Sequence, residues 1–274
     1  LAAQFEREGV GLIPLREGAL HFVAEVLADP SEPVELVVGS GLDIADSAPV
    51  LHRSEVTVDP QAWGVLRDHR LGGKAVLPAA LALEMLAEAA LARCPGGSLL
   101  AVEDLRVLRG VVIEEPVTLT VELGERGSSG LHRRFEARLL DSDGLPRYCA
   151  AVTIGPRTAT PSAADRPADL DPAELTAAEA YRSRLFHGPS LHSLDGIEAV
   201  GETGIVATLS GAPSRGEWTG HEGSWALDPL LLDGVFQAVI LWCWEQLGSP
   251  SLPSSLERLL VFADAHYNAD TVPL

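Results

Sequence analysis

The sequence has few basic residues for its length. Its 274 residues include 20 lysines and arginines against 39 aspartates and glutamates, which gives a formal net charge of −19. Proteins that bind nucleic acids use clusters of lysine and arginine to neutralise phosphates. No such stripe or tail is visible here, so the sequence argues against a nucleic-acid partner.

Cysteines and long apolar runs are also scarce. The three cysteines, Cys94, Cys149 and Cys243, are widely spaced and form no C-x-x-C pair, so we expect free thiols. No apolar run has the length needed to cross a bilayer, and the N-terminus lacks the basic and apolar regions of a signal peptide. We therefore expect a cytoplasmic protein with no membrane partner.

Composition divides the chain into four segments. Residues 1–42 hold an amphipathic stretch and a short apolar run, which are too small to form a core. Residues 43–155 and 174–274 are each large enough to fold. Residues 156–173, rich in Pro, Ala, Thr and Asp, are predicted to be a linker.

Each of the two larger segments contains one long, predominantly apolar helix. Pro78 suits the first turn of a helix, and residues 79–93 continue with strong helix formers. Asp228 is a natural N-cap and Pro229 a natural first residue for the second helix, which runs through Leu247. The repetition predicts an internal duplication, in which a helix wrapped by a curved antiparallel sheet is made twice.

Strands are predicted around both helices from apolar and β-branched runs bounded by turn residues. They lie at residues 107–113, 117–123, 132–140, 148–154, 197–209 and 256–262.

The first candidate for chemistry is His69, in a loop before the first helix. Histidine exchanges protons near neutral pH, and the glycine that follows at Gly73 permits close backbone approach by a substrate. An isolated loop histidine is more often an ordinary surface residue, so residue type alone favours the surface interpretation.

The second candidate is the pair Asp233 and Gln237, four residues apart on one face of the second helix. Among apolar neighbours the carboxyl would be partly desolvated, which raises its pKa and suits a proton donor. Near a helix start a carboxylate is also stabilised as an anion. A catalytic and a capping role are therefore equally open.

The third candidate is the turn Phe186-His187-Gly188-Pro189. An ordinary turn that leads into a strand is the favoured interpretation. His187 and His192 do not predict a metal site, because no third ligand stands at the expected spacing.

Taken in order, these segments resemble the dehydratase domains of type I polyketide synthases and related fatty-acid synthases. His69, Gly73 and Pro78 match the H-x-x-x-G-x-x-x-x-P motif of that family. Asp233 and Gln237 match its D-x-x-x-Q motif.

Two further segments carry the resemblance with some departures. Residues 186–191 are similar to the family's Y-G-P-x-F turn, with Phe186-His187 in place of the tyrosine and Leu191 in place of the phenylalanine. Residues 252–253 lie where the family has a Leu-Pro-Phe segment. The resemblance covers about residues 48–274.

The resemblance implies an α+β double-hotdog fold and a dehydratase activity. His69 would be the catalytic base and Asp233 the catalytic acid, with Gln237 orienting Asp233 and a backbone N–H near Gly73 polarising the thioester carbonyl. The substrate tunnel would include Pro78, Phe186, His187, Gly188 and Pro189.

The resemblance also implies partners. The acyl group would arrive on the phosphopantetheine of an acyl carrier domain, with no metal and no organic cofactor in the domain itself. Residues 1–42 resemble the end of a ketoreductase domain, an order similar to iterative enediyne-type or polyunsaturated-fatty-acid synthases. A homodimer is compatible with the family, and the second hotdog is expected to lack some C-terminal strands.

Other functions on the same scaffold stay open. A product-template-like cyclase or isomerase would use the same His and Asp but form no enoyl product. A thioesterase or hydratase would act on coenzyme A esters. A non-catalytic structural hotdog domain of a megasynthase would do neither.

Overall fold

The computed structural model describes residues 50–157 and 169–262, and the single residue Ala19. Contacts between Cα atoms divide the chain into two units, Leu1–Ser47 and Ala48–Leu274. Apart from Ala19, the described residues belong to the second unit. The predicted ketoreductase-like segment and residues 158–168 of the predicted linker lie outside them.

Within the described residues the chain forms eleven strands and four α-helices. The strands are β1 (Val50–Val58), β2 (Arg70–Leu71), β3 (Lys74–Ala75), β4 (Ser98–Val107), β5 (Val117–Ser129), β6 (His132–Leu140), β7 (Pro146–Gly155), β8 (Asp171–Pro172), β9 (Leu194–Gly201), β10 (Gly204–Leu209) and β11 (Ser255–Leu260). The helices are α1 (Ala79–Ala92), α2 (Ala177–Ser183), α3 (Arg215–Thr219) and α4 (Pro229–Leu247).

Two antiparallel sheets each cover one long helix. The larger sheet has the order β1-β5-β6-β7-β4-β11 and packs against α1, while the smaller sheet has the order β10-β9-β8 and packs against α4. The two helices contact each other. Because β11 follows α4 in the chain yet pairs with β4, both halves contribute to the larger sheet. The predicted double hotdog is confirmed.

Helix α1 is buried on most of its surface, as its composition predicts. Nine of its fourteen residues are buried, which requires apolar residues all around rather than on one stripe. Pro78 stands at the N-cap and supplies no N–H of its own. The helix is therefore enclosed by the larger sheet on one side and by α4 on another.

Helix α4 begins where the sequence predicts. The Asp228 carboxylate accepts a hydrogen bond from the Leu231 N–H at 2.9 Å, and Pro229 is the first helical residue. The helix ends at Gly248, whose φ of 68° is the left-handed conformation that glycine adopts readily.

By length and composition alone, α4 is long and apolar enough to cross a membrane. The expectation that no segment is long enough was therefore wrong. Within the fold, 56% of its most apolar 18-residue stretch is buried, and the helix forms the core of the second half. A core helix that is mostly buried can be as long and as apolar as a membrane span, so burial in the hotdog core explains this pattern.

The strand predicted at residues 107–113 was wrong. The strand that forms in this region is β4, which ends at Val107. The sequence does not predict β4 because the charged residues Glu103 and Asp104 interrupt the alternation of apolar and polar residues. Asp104 has a φ of 54°, and the pairing of β4 with β7 shifts register there. The apolar run after Val107 instead leaves the sheet and runs beside β3.

That run supports the loop that carries His69. The Leu77 N–H donates to the Val111 carbonyl and the Ile113 N–H donates to the Ala75 carbonyl, both at 2.9 Å. The segment thus braces the start of α1 and the strand before it.

Candidate active site

His69 begins a tight hairpin that accounts for the spacing of its motif. Strands β2 and β3 pair across Gly72 and Gly73, whose φ values of 57° and 81° are the left-handed pair of a two-residue hairpin turn. The Val76 N–H closes the hairpin by donating to the His69 carbonyl at 3.0 Å. Pro78 then caps α1, so the motif's glycine marks the turn and its proline marks the helix start.

The same hairpin fixes the tautomer of His69. Its Nδ1 lies 2.7 Å from the Val76 carbonyl oxygen, which can only accept. In the neutral imidazole Nδ1 therefore carries the proton and Nε2 keeps a free lone pair. Burial lowers the pKa of His69, and the hydrogen bond to Val76 partly opposes this effect. His69 is thus held as a neutral base at neutral pH.

The turn with His187 docks on the residue before His69. The Gly188 N–H donates to the Asp68 carbonyl, and the Ser190 N–H donates to Asp68 Oδ2, both at 2.8 Å. A side chain at Gly188 would place its Cβ 2.5 Å from Asp68 Oδ1, so only glycine allows this approach. His69 and His187 consequently form an antiparallel bridge.

Aromatic contacts complete this side of the site. The ring of Phe186 stacks on His187 at a centroid distance of 4.0 Å and meets His69 edge-on at 5.1 Å. The rings of His69 and His187 are 5.5 Å apart. Phe186 therefore forms an apolar wall beside both imidazoles.

Asp233 is held by a chain of hydrogen bonds. Gln237 Nε2 donates to Asp233 Oδ2 at 2.7 Å and to the Leu191 carbonyl at 2.8 Å. Gln237 Oε1 accepts from the Tyr181 hydroxyl at 2.7 Å, and that hydroxyl accepts from the Leu194 N–H at 2.8 Å. Each polar atom of the Gln237 amide thus has a partner that fixes its orientation, and Gln237 in turn fixes the carboxyl.

The two halves bring their titratable groups to one point. His69, His187 and Asp233 are all buried, and each offers one nitrogen or oxygen atom within 4.8 Å of the others. His187 Nε2 lies 3.4 Å from Asp233 Oδ2. Burial raises the pKa of Asp233 to about 6, against the opposing hydrogen bond from Gln237. Burial also lowers the pKa of His187, to about 3.

An unprotonated imidazole beside a carboxyl with a raised pKa is a base paired with an acid. Two family models match the chain: residues 37–138 match "Polyketide synthase dehydratase domain" and residues 158–272 match "Polyketide synthase dehydratase N-terminal domain". The chain belongs to the polyketide synthase dehydratase family. As a dehydratase it removes water from hydroxyacyl intermediates of polyketide or fatty-acid synthesis.

A curated relative extends the match to nearly the whole dehydratase. One subunit of the polyunsaturated fatty acid synthase of Thraustochytrium sp. is 31% identical over 277 residues, which cover 95% of this chain and 10% of the relative. The dehydratase thus spans about a tenth of that relative's length.

Solved structures share the fold at lower identity. The dehydratase domain from the CurF module of curacin polyketide synthase is 21% identical, with a TM-score of 0.61 over 81% of this chain and 80% of that one. Two inactive variants of the CurK dehydratase, one Asp to Asn and one His to Phe, are each 18% identical and cover 77% of this chain. They cover 78% and 76% of their own chains, with TM-scores of 0.55 and 0.56 respectively.

The site residues predicted for the dehydratase fall into two groups. Those that meet around the acid and base are His69, Phe186, His187, Asp233 and Gln237. The others position the backbone: Gly73 and Pro189 are exposed in turns, Gly188 lies against Asp68, and Pro78 caps α1. The catalytic, supporting and substrate-contacting roles of both groups stay predictions.

Tyr181 and Asp68 hold predicted site residues in place, and sequence reasoning missed both. A capping box marks the helix of Tyr181, because Thr176 and Glu179 exchange hydrogen bonds at the start of α2. That signal locates the helix but not its partner, since Tyr181 and Gln237 are 56 residues apart. No sequence pattern marks Asp68, apart from its position directly before His69.

Glu84 is a third residue that the sequence did not reveal. From the middle of α1 its carboxyl accepts hydrogen bonds from the N–H groups of Ala226 and Leu227 at 2.7 and 2.6 Å. These residues come directly before Asp228, the N-cap of α4. Glu84 therefore ties the helix of the first half to the start of the helix that carries Asp233.

Proposed function

We propose that this dehydratase removes water from a 3-hydroxyacyl thioester carried on the phosphopantetheine arm of an acyl carrier domain, and that it yields a 2-enoyl thioester. The observation that most supports this proposal is that a buried, neutral His69 lies close to a buried Asp233 whose pKa is raised. The reaction needs no metal and no organic cofactor. The domain would work in the cytoplasm, beside a ketoreductase and the other domains of a multidomain synthase.

His69 and Asp233 would share the two proton transfers. His69 Nε2 takes a proton from C2, the electron pair forms the C2–C3 double bond, and the C3–O bond breaks. Asp233 gives its proton to the departing hydroxyl, which leaves as water. Return of the proton from His69 to Asp233 restores both groups, and positioned acids and bases of this kind contribute about 10²–10⁴-fold each.

Neighbouring groups support these roles. Gln237 directs the carboxyl of Asp233 toward the site through its bonds to Leu191 and Tyr181. A backbone N–H near Gly73 and the start of α1 would stabilise the charge that develops on the thioester oxygen. The inactivity of CurK dehydratase variants with one aspartate or one histidine replaced fits a mechanism that needs both residue types.

The proposal is tested by mass spectrometry of 3-hydroxyacyl-carrier thioesters incubated with the protein. The folded protein is expected to remove about 18 mass units, the mass of one water, and His69→Ala is expected to be about 10²–10⁴-fold slower. His221→Ala is the matched control, because His221 is exposed. Full activity of His69→Ala would refute its role. A folded protein that removes no water at any chain length would favour the cyclase-like or structural alternative.

The pH profile gives a second expected result. The active form needs neutral His69, which exists above the lowered pKa of that residue, and protonated Asp233, which exists below about pH 6. In the free enzyme kcat/KM is therefore expected to rise through the histidine pKa and to fall as pH increases through about 6. Rates measured from pH 4.5 to 8, with circular dichroism to confirm folding, check this. A rate that stays constant from about pH 5 to 8 would contradict the assigned acid.

A further inference from the structure

The acid and base of the site form, together with His187, a set of metal-ligand type. His69 comes from the hairpin, His187 from the turn on Asp68 and Asp233 from α4, and one ligand atom of each lies within 4.8 Å of the other two. Two imidazoles and one carboxylate are a ligand set that zinc takes in proteins. No sequence pattern indicates this set, because the three residues are separated by long stretches of chain.

The separations are close to those that zinc imposes. Ligands bonded to tetrahedral zinc at about 2.0–2.2 Å lie about 3.4 Å from one another. His187 Nε2 and Asp233 Oδ2 already stand 3.4 Å apart. The widest separation has to close by about 1.4 Å to reach the same value, which a rotation of the His69 or His187 side chain can supply.

Two of the ligands have the outer contacts that usually hold metal ligands in place. His69 donates from Nδ1 to the Val76 carbonyl, which points its Nε2 lone pair away from the hairpin. Gln237 holds the Asp233 carboxylate. Carbonyl and amide partners of this kind orient ligands and strengthen metal binding.

The imidazole of His187 is held less firmly than that of His69. Within the part of the chain that the structure describes, its Nδ1 is buried and has no hydrogen-bond partner. The whole residue is only 6% exposed. Because no hydrogen bond holds Nδ1, none opposes a small rotation of the imidazole that brings Nε2 onto an ion at the centre of the three residues.

From this geometry we infer that His69, His187 and Asp233 bind Zn²⁺ and that the bound ion inhibits the dehydratase. The ion takes the Nε2 lone pair with which His69 removes the C2 proton. It also takes the carboxylate of Asp233, which must be protonated to donate to the leaving hydroxyl. Substrate and zinc therefore exclude each other. The inhibition rests on the proposed function, whereas the binding does not.

Binding is tested with zinc alone, by competition against a chromophoric chelator. One Zn²⁺ per chain is expected for the wild-type protein. His69→Gln, His187→Gln and Asp233→Asn are each expected to weaken that binding by more than about tenfold, while His221→Gln, at an exposed position, leaves it unchanged. Circular dichroism confirms that each variant is folded. No binding, or equal binding by all the variants, would overturn the site, since an ion on surface histidines or thiols would not respond to these three changes.

Inhibition is measured in a second arm. With a 3-hydroxyacyl-carrier substrate, zinc near its dissociation constant is expected to halve the rate at low substrate, and a chelator restores it. If the protein binds one zinc through the three residues but shows no dehydration without it, the proposed function fails and the site stands. If dehydration is robust and zinc bound at the site leaves the rate unchanged, the inhibitory role fails.

Discussion

Replacement of Asp233 by asparagine is expected to abolish dehydration and, at pH 8, to make the protein more stable. The activity falls because an amide cannot donate the proton that the leaving hydroxyl needs, a loss of about 10²–10⁴-fold. The stability rises because wild-type Asp233 is 3% exposed and must be ionised at pH 8 in a site that disfavours charge. Asparagine keeps an oxygen that can accept from Gln237 but never ionises.

The sign and size of the stability change follow from proton linkage. Burial raises the pKa of Asp233 from 3.8 to about 6 in the folded protein. The stability that the protonated carboxyl contributes is therefore complete below pH 3.8 and lost as pH rises through about 6. The shift corresponds to about 3 kcal/mol as an upper value, so Asp233→Asn is expected to gain up to that amount at pH 8 and nothing near pH 3.8.

Urea unfolding of the wild-type protein and the variant at pH 4 and pH 8 checks this result. Asp171→Asn is the matched control, because Asp171 is exposed in the same half of the fold. An Asp233→Asn protein that is inactive but less stable than wild type at pH 8 would show that the carboxylate contributes to the fold as an anion. Asp233 would then be a structural anion in the first turns of α4, which is the non-catalytic role closest to the one that the sequence left open.

The two long helices of this fold could be predicted closely because local chemistry determines where they begin, whereas the short helices α2 and α3 were not predicted. Asp228 caps α4 and Pro229 is its first residue, and both preferences depend only on the local chain. Strand β4 could not be predicted, because Glu103 and Asp104 lie where its pairing with β7 shifts register. At such a shift, side chains no longer alternate regularly between the core and the solvent. A shift of that kind depends on the partner strand.

The sequence predicted which motif residues form the site, but not how they contact one another. Both His69 and Asp233 stand in patterns that the sequence shows, but whether the two are neighbours depends on packing between halves separated by more than 160 residues. The hydrogen bonds that fix them involve the Val76 carbonyl and the Tyr181 hydroxyl. Main-chain groups carry no sequence signal, and Tyr181 lies in a helix whose composition is that of an ordinary surface element.

Glu84 is the residue outside the acid and base pair whose loss is expected to have the largest effect. Glu84→Ala removes the acceptor of the Ala226 and Leu227 N–H groups, and Leu227 is itself buried. Unsatisfied buried donors cost about 1–3 kcal/mol each, so a loss of about 2–6 kcal/mol in the free energy of unfolding is expected at pH 5 for the two N–H groups.

That loss is expected to be smaller at pH 8. Burial raises the pKa of Glu84 from 4.5 to about 7; the two N–H groups oppose the rise, the neighbouring Glu88 adds to it, and Arg215 opposes it. The stability contributed by the protonated carboxyl is complete below pH 4.5 and lost as pH rises through about 7, an effect of about 3 kcal/mol. The variant lacks this titration and so loses less relative to wild type at the higher pH.

Chemical unfolding at both pH values, with Glu245→Ala as the control for an exposed helical glutamate, measures the difference. Equal losses at pH 5 and pH 8 would contradict the buried titration of Glu84, and no loss at either pH would contradict its structural role.

The activity of the Glu84→Ala variant links this contact to function. Because Ala226 and Leu227 lead directly into α4, their release moves the start of the helix that carries Asp233, and the folded variant is expected to show a lower kcat with little change in KM.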